Sequence, residues 1–240
     1  RKVFLFSEHM SRLESSLLKT GIDKPKVWNQ IHNIIDELID KNSHPNQAVY
    51  LQISRGEDVE RNHLPRMNIK PTLFINSSEL TINPYRLNPN KLGIEVKTSE
   101  DQRWDRCDVK AVTLLSNVMA LVEANSDKKD EVIFHRNGKV TEGTSSNVFV
   151  VSKDKIMTPP VSKHILSGIT RKYIIDLLKS KSFSVVEKEI NILQLYDADE
   201  IWMTSSTKEI YPVRKVDDKE IISSKPNSSI WFKVLSSFDR

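Results

Sequence analysis

Residues 142–147 read Glu-Gly-Thr-Ser-Ser-Asn and run directly into the apolar stretch Val148-Phe149-Val150-Val151. One carboxylate therefore stands at a glycine turn, beside three hydroxyls and an amide, at the mouth of a strand whose residue types suit burial. An unpaired buried charge is very costly, so a carboxylate with that many donors around it is one held ionised for a purpose. The bland alternative is a strand-entry turn whose polar residues are solvated.

Pairing with the protonated ring nitrogen of pyridoxal phosphate is a purpose that fits, because that contact makes the ring an electron sink. Such a site also needs an amine, a cage for a phosphate and a clamp for a substrate carboxylate. The amine candidate is Lys110, in Arg103-Trp104-Asp105-Arg106-Cys107-Asp108-Val109-Lys110. Cationic neighbours such as Arg103 and Arg106 lower a lysine pKa toward the free amine. Lys110 also precedes a stretch expected to form a buried helix, although an ordinary surface lysine reads the same locally.

Two loops suit a phosphate. Leu166-Ser167-Gly168-Ile169-Thr170-Arg171 is a glycine turn at a helix start, where the N–H groups of Ile169 and Thr170 point outward with the dipole behind them. Thr204-Ser205-Ser206-Thr207 follows the apolar Ile201-Trp202-Met203 and offers hydroxyls and backbone donors in a nest. Hydroxyl-rich loops are more often plain caps or turns. Arg12, after His9, is a candidate for the bidentate arginine that a phosphate favours. For the substrate carboxylate, Arg61 and His63 stand two apart on an extended loop and can point the same way. An exposed polar loop is the competing reading there.

Other chemistries find less support. The lone Cys107 and the scattered His9, His32, His44, His63, His135 and His164 have no zinc spacing, so no metal site is expected. No Walker or dinucleotide glycine loop occurs, and Ser145 and Ser146 lie in no GxSxG elbow. Net charge is +4, from 36 basic and 32 acidic residues spread along the chain, which argues against nucleic acid and suits anionic small molecules. No apolar run approaches the ~20 residues of a membrane span. The opening Arg1-Lys2-Val3-Phe4-Leu5-Phe6 stops at Ser7-Glu8, too short for a signal peptide, and a single cysteine fits a reducing cytoplasm.

The elements that must position these residues follow from period and punctuation. Ser7 is expected to cap a helix over Glu8–Lys19 with Gly21 as its stop, and Lys26–Asp40 forms a second amphipathic helix. Val49–Ser54 and Thr72–Ile75 read as strands. The proline-broken segment 84–91 is the expected linker between a small domain (1–83) and a larger one (92–240). Beyond it come a strand over Ile94–Thr98, a helix over Ala111–Glu123, and a hairpin of Val132–His135 and Lys139–Thr141 around Asn137-Gly138. Then follow a helix from Gly168 to about Lys181, strands over Phe183–Ile190 and Ile201–Thr204, and a closing helix over Ser228–Phe238. Without a regular βαβ period, the expected class is α+β in two layers rather than a Rossmann sheet.

In order and spacing, Tyr50–Gly56, Arg103–Lys110, Glu142–Val150, Leu166–Arg171 and Asp199–Val213 together resemble the fold-type IV pyridoxal-phosphate enzymes. That group holds D-amino-acid aminotransferases, branched-chain aminotransferases and aminodeoxychorismate lyases. The Arg-Trp-x-Arg-Cys-Asp-x-Lys run and the Arg61/His63 pair are closest to the D-amino-acid (D-alanine) branch. The resemblance implies a two-domain fold with pyridoxal 5'-phosphate in the cleft, acting on amino acids and 2-oxo acids, and a homodimer. It implies that Lys110 is the Schiff-base lysine and proton shuttle and that Glu142 partners the ring nitrogen. Arg12, Ile169, Thr170, Ser205 and Ser206 would hold the phosphate, Leu166 would buttress the ring, and Arg61 and His63 would hold the substrate carboxylate. The implied reaction is D-alanine plus 2-oxoglutarate to pyruvate plus D-glutamate. A branched-chain L-aminotransferase, a lyase, or a cofactor-binding member without turnover are the alternatives. Two departures stand out: the family's first strands, with a substrate-side tyrosine, precede the point that aligns with Arg1, and the loop Arg55–His63 is one residue longer than expected.

Overall fold

The computed structural model describes residues 3–221 and 228–238, so Arg1 and Lys2 of the basic opening lie outside it. The chain divides into two compact units, one of Phe6–Ile82 and one of the residues up to Leu5 together with Asn83 onward.

The smaller unit holds α1 (Phe6–Thr20), α2 (Ile31–Lys41) and a hairpin of β1 (Gln47–Ser54) and β2 (Thr72–Glu79). α1 begins before Ser7, so Ser7 lies inside the helix instead of capping it, and its carbonyl accepts from Ser11 Oγ at 2.9 Å. Gly21 ends α1 in the left-handed region (φ +59°), with the Ile22 N–H returning to the Leu17 carbonyl at 3.0 Å. Arg55 completes that terminus by donating to the carbonyls of Thr20 and Gly21 at 2.8 and 2.6 Å. α2 starts later than its periodicity suggests because Pro25–Gln30 is spent on a tighter turn, with the Trp28 N–H on the Pro25 carbonyl at 2.9 Å. Ile31, Ile35 and Ile39 then form its buried stripe. β1 and β2 pair without a break from Gln47↔Glu79 to Ser54↔Thr72.

In the larger unit the chain runs α3 (Pro84–Leu87), β3 (Ile94–Glu100), α4 (Leu115–Ser126), β4 (Glu131–Arg136), β5 (Lys139–Gly143), β6 (Asn147–Ser152) and β7 (Lys155–Thr158). It continues through α5 (Ile169–Ser180), β8 (Val185–Glu187), α6 (Leu193–Tyr196), β9 (Glu200–Ser205), β10 (Glu209–Val216), β11 (Lys219–Glu220) and α7 (Ile230–Ser236). Among the described residues, nine strands make one mixed sheet in the order β5-β4-β3-β10-β9-β6-β7-β8, with β11 on β10. β3 runs parallel to β4 and β10, and β7 to β8; the remaining pairs are antiparallel.

Strand alternation builds a core on each face of this sheet. Phe149, Val151 and Trp202 pack with Ile174 and Leu178 of α5 and Trp231 and Val234 of α7. Val148, Val150, Ile201 and Met203 point the other way, toward Ile190, Leu195 and Val213. The Asn137-Gly138 turn has positive φ at both positions (+50° and +74°), as a tight hairpin requires.

Three expected elements change length. The helix placed at 111 starts only at Leu115, since the β-branched Val112 and Thr113 lie in an irregular stretch. The strand expected over Phe183–Ile190 shrinks to Val185–Glu187 because β7, its sheet neighbour among the described residues, is four residues long; Ile190 is drawn instead onto the Val140 N–H, at 2.9 Å. The closing helix is confined to Ile230–Ser236. The proline-broken segment packs into the larger unit: Tyr85 is buried, Asn83 Nδ2 donates to the Lys208 and Ile210 carbonyls at 2.7 and 3.0 Å, and Arg86 Nε meets Glu209 Oε2 at 2.7 Å. No helix among the described residues is long and apolar enough to cross a membrane.

Candidate active site

Glu142 sits next to the end of β5 and is 5% exposed. Its two oxygens are served from three directions. Oε1 accepts from Arg103 Nη1 at 2.7 Å, and Oε2 accepts from the Leu166 N–H at 3.0 Å and from Asn147 Nδ2 at 3.1 Å. A carboxylate offers about four acceptor positions, so it retains capacity for one more donor.

Asn147, the first residue of β6, is the point where the loops converge. Its Nδ2 also donates to the Leu166 carbonyl at 3.0 Å, and its Oδ1 packs against the backbone of Gly168. Gly168 precedes α5, so Ile169 and Thr170, both buried, form the first turn, whose N–H groups have no intrahelical acceptor. Asn147 pairs in register with Thr204 of β9, which sets Ser205 and Ser206 next in line. Ser205 Oγ accepts the Lys208 N–H at 3.2 Å, and Ser206 is exposed. The larger unit thus gathers Glu142, Leu166, the α5 start and the end of β9 around one asparagine. Gly143 is needed for closeness, since a Cβ there would lie 2.3 Å from Ser146 Oγ and 2.5 Å from Met203 Cε.

Lys110 is exposed and follows the buried Val109 in a loop held by the Cys107 N–H on the Lys163 carbonyl at 2.8 Å. The helix expected behind it is α4, which starts only at Leu115 and leaves Leu115, Val118, Met119 and Val122 exposed instead of buried. The expected cationic pressure on Lys110 also changes character. Arg103 is engaged by Asp101 and Glu142, and Arg106 Nε lies 3.5 Å from Asp108 Oδ1, so both arginines are matched by carboxylates. Arg12, Arg61 and His63 belong to the smaller unit. Arg12 is half-buried on α1, and burial pulls its guanidinium pKa below the usual value. Arg61 and His63 are exposed in the loop between β1 and β2.

Two buried groups escape the sequence reading. Arg103 is held on Asp101 by Nε to Oδ1 at 2.9 Å and Nη2 to Oδ2 at 2.8 Å, with Nη2 also reaching the His164 carbonyl at 3.2 Å. Burial pulls its pKa down, but Asp101 and Glu142 outweigh that and raise it. Burial likewise pushes Asp101 up, and the bonds and charge of Arg103 hold it below the usual carboxylate range. For Glu142 burial wins: its pKa is pushed up to about 7 despite Arg103 and the Leu166 N–H. Arg103 forms three contacts with Asp101 and one with Glu142, which accounts for the unequal outcome.

The second is Glu131, at the head of β4 and 1% exposed. Oε1 accepts from the Thr144 N–H at 3.2 Å and from the Thr144 hydroxyl; Oε2 accepts from Ser146 Oγ at 3.4 Å and faces Lys208 Nζ at 3.5 Å. It ties the 144–146 turn to the turn after Ser205. An acidic residue opening the otherwise apolar run Val132-Ile133-Phe134 was the available signal. Among the described residues no group of three or more His, Cys, Asp or Glu is placed to hold a metal ion.

The family model described as amino-transferase class IV matches residues 1–216. The chain belongs to the class IV aminotransferases. This aminotransferase chain is 35% identical over 224 residues to a D-alanine aminotransferase of Bacillus licheniformis, covering 93% of this chain and 78% of that protein. The branched-chain amino acid aminotransferase of Escherichia coli superposes with a TM-score of 0.81 at 25% identity, over 96% of this chain and 76% of that one. The branched-chain enzyme of Thermobaculum terrenum, solved in its pyridoxal-phosphate form, shares the fold with a TM-score of 0.85 at 24% identity, over 96% and 75%. The α+β fold is therefore that of the fold-type IV enzymes, and the cofactor is pyridoxal phosphate. The residues present fit it: Glu142 has capacity for one ring N–H, and the α5 start and the Ser205-Ser206 turn supply donors suited to a phosphate.

Proposed function

We propose that this aminotransferase acts on D-amino acids, converting D-alanine and 2-oxoglutarate to pyruvate and D-glutamate. The observation that carries the reading is the 35% identity with a D-alanine aminotransferase over 93% of the chain. The Arg103–Lys110 run and the Arg61/His63 pair support it from the sequence.

Pyridoxal phosphate, when bound, supplies a ring that accepts electrons as a Cα proton leaves. Lys110 is the proposed proton carrier at the substrate Cα, serving as base and then acid; its exposure leaves the amine within reach of a ligand. Glu142 keeps the ring nitrogen protonated, and Leu166 buttresses the ring while its N–H steadies Glu142. Ile169 and Thr170 offer helix-start N–H groups and Ser205 and Ser206 offer hydroxyls to the phosphate, with Arg12 as its arginine. Arg61 and His63 hold the substrate carboxylate.

The likeness to branched-chain enzymes favours a second reading, an L-amino-acid aminotransferase with the same cofactor residues and a different clamp. Paired assays of D-alanine and L-leucine with 2-oxoglutarate, scoring the chirality of the glutamate formed, separate the two. D-Glutamate from D-alanine is expected; L-glutamate from L-leucine alone sinks the proposal. A member that binds cofactor without turnover would label Lys110 on borohydride reduction yet form no glutamate.

The same reading includes a cytoplasmic setting, supported by the single cysteine, and a homodimer. Support for the dimer comes from α4, whose Leu115, Val118, Met119 and Val122 are all more than half exposed and share one helical face. A cavity of ≈ 310 Å³ lined by Arg103, Trp104, Thr113, Leu115 and Ser116 adjoins that face at Leu115. A second copy meeting it about a twofold axis would set like face on like face.

A further inference from the structure

We propose that Arg103, braced by Asp101, is a positioning residue of this site, holding Glu142 as the carboxylate that a ring nitrogen requires. The inference rests on the proposed role of Glu142.

The groups facing Glu142 come from three segments. Asn147 Nδ2 and the Leu166 N–H are neutral donors, and the Leu166 N–H favours the ionised form by less than a cation does. Arg103 Nη1, at 2.7 Å, is the charged contact and favours that form most. Behind it stands Asp101, which also accepts from Thr141 Oγ1 at 3.1 Å and has Arg136 Nε 3.3 Å from Oδ2. Glu142, Arg103, Asp101 and Arg136 therefore form a row of alternating sign, and the first three side chains are 7% exposed or less.

The row explains why the cation is an arginine. Its planar fork uses Nε and Nη2 on Asp101, which fixes Nη1 toward Glu142; a lysine carries one point of charge and cannot serve both with that geometry. Asp101 lends rigidity and takes back part of the field, and Arg136 returns some of it. Burial alone would leave Glu142 a neutral acid at neutral pH. A carboxyl group that keeps its proton would share it with the ring nitrogen only as a hydrogen bond, so the nitrogen would stay unprotonated and the ring would lose its electron-accepting character. The state of the ring nitrogen is thus set by a residue that need not touch the ring.

The test uses two variants. Arg103→Met with Asp101→Asn removes one charge of each sign, and Arg103→Lys keeps the cation. The first readout needs no cofactor: carboxyl 13C shifts of labelled glutamate followed with pH, with Glu142→Gln to assign the signal. The double variant should move the Glu142 midpoint up by more than one pH unit, about tenfold in proton affinity, and Arg103→Lys should move it the same way by less. The second readout is the 15N shift of the ring nitrogen in protein loaded with 15N-labelled pyridoxal phosphate, expected protonated in the wild type and unprotonated in the double variant near pH 7.5. Should the double variant fail to fold, Arg103→Lys decides. Folded variants whose Glu142 midpoint and ring-nitrogen shift match the wild type overturn the proposal and leave Arg103 a structural residue. A wild-type protein that takes up no cofactor overturns the role of Glu142 itself, and this proposal with it.

Discussion

Asn147 Oδ1 lies 2.0 Å from the point where a Cβ on residue 168 would stand, so the asparagine side chain fills space that only Gly168 leaves open. The amide on the other side of that carbonyl group donates to both Glu142 and Leu166. One missing methyl group thereby couples the start of α5 to the carboxylate next to the end of β5.

Gly168→Ala should break that coupling. The added methyl group must displace Asn147 or shift the α5 start, at about 1–3 kcal/mol of stability. Because the amide is the piece that moves, cofactor affinity should fall as well. Urea unfolding and a cofactor titration of the same preparation check both, and an unchanged affinity would show that Asn147 finds another way to hold Glu142.

Glu142 should leave a signature in the pH dependence of stability of the cofactor-free protein. Its folded pKa is raised to about 7 from an ordinary 4.5, so between those values the unfolded chain has released a proton that the folded chain keeps. Its contribution is fully present below pH 4.5 and is lost as pH rises through 7, amounting to about 3 kcal/mol at most. Asp101 is shifted the other way, so its contribution is lost only as pH falls below the usual carboxylate range, outside this window. Denaturant midpoints from pH 5 to 8 should decline in the wild type relative to Glu142→Gln.

Glu131→Gln tests the hidden tie between the 144–146 turn and Lys208. Replacing one acceptor oxygen by an amide that can only donate leaves part of the Thr144, Ser146 and Lys208 set without its charged partner, at about 2–3 kcal/mol. A far smaller loss in urea unfolding would mean that the two turns are held by the β6–β9 pairing alone.

Val118→Glu places a charge on the outward face of α4. Sedimentation equilibrium should then report the single-chain mass where the wild type reports twice that value, with the far-UV spectrum unchanged. A wild type that sediments as a single chain at micromolar concentration rejects the homodimer.

Much of the larger unit could be read from local pattern. Val148–Val151 and Ile201–Met203 are continuous apolar runs because β6 and β9 are buried on both faces, and Asn137-Gly138 names its own turn. Gly21 likewise announces the end of α1 by its freedom at positive φ. The start of α1 was misplaced because Ser7 looks like a cap whether or not a helix begins there. The apolar stripe of α4 was legible as a stripe, yet period cannot say whether a stripe faces its own core or another chain.

For the site, the sequence by itself determined the chemistry available: a carboxylate at a glycine among hydroxyls, a helix start at Gly168, a hydroxyl turn after an apolar strand and a lysine behind two arginines. Each of these is a property of a few adjacent residues. Tertiary structure decided the partners. Arg103 reads as a neighbour of Lys110 and proves to be the neighbour of Glu142, and Glu131 joins two turns far from it in the chain. The reason is physical: hydrophobic period sets which side of a strand is buried, but strand order and register set which polar groups meet. Those follow from packing summed over the whole sheet, in which the hydrogen-bonded order among the described residues runs from β5 through β4, β3 and β10 to β9.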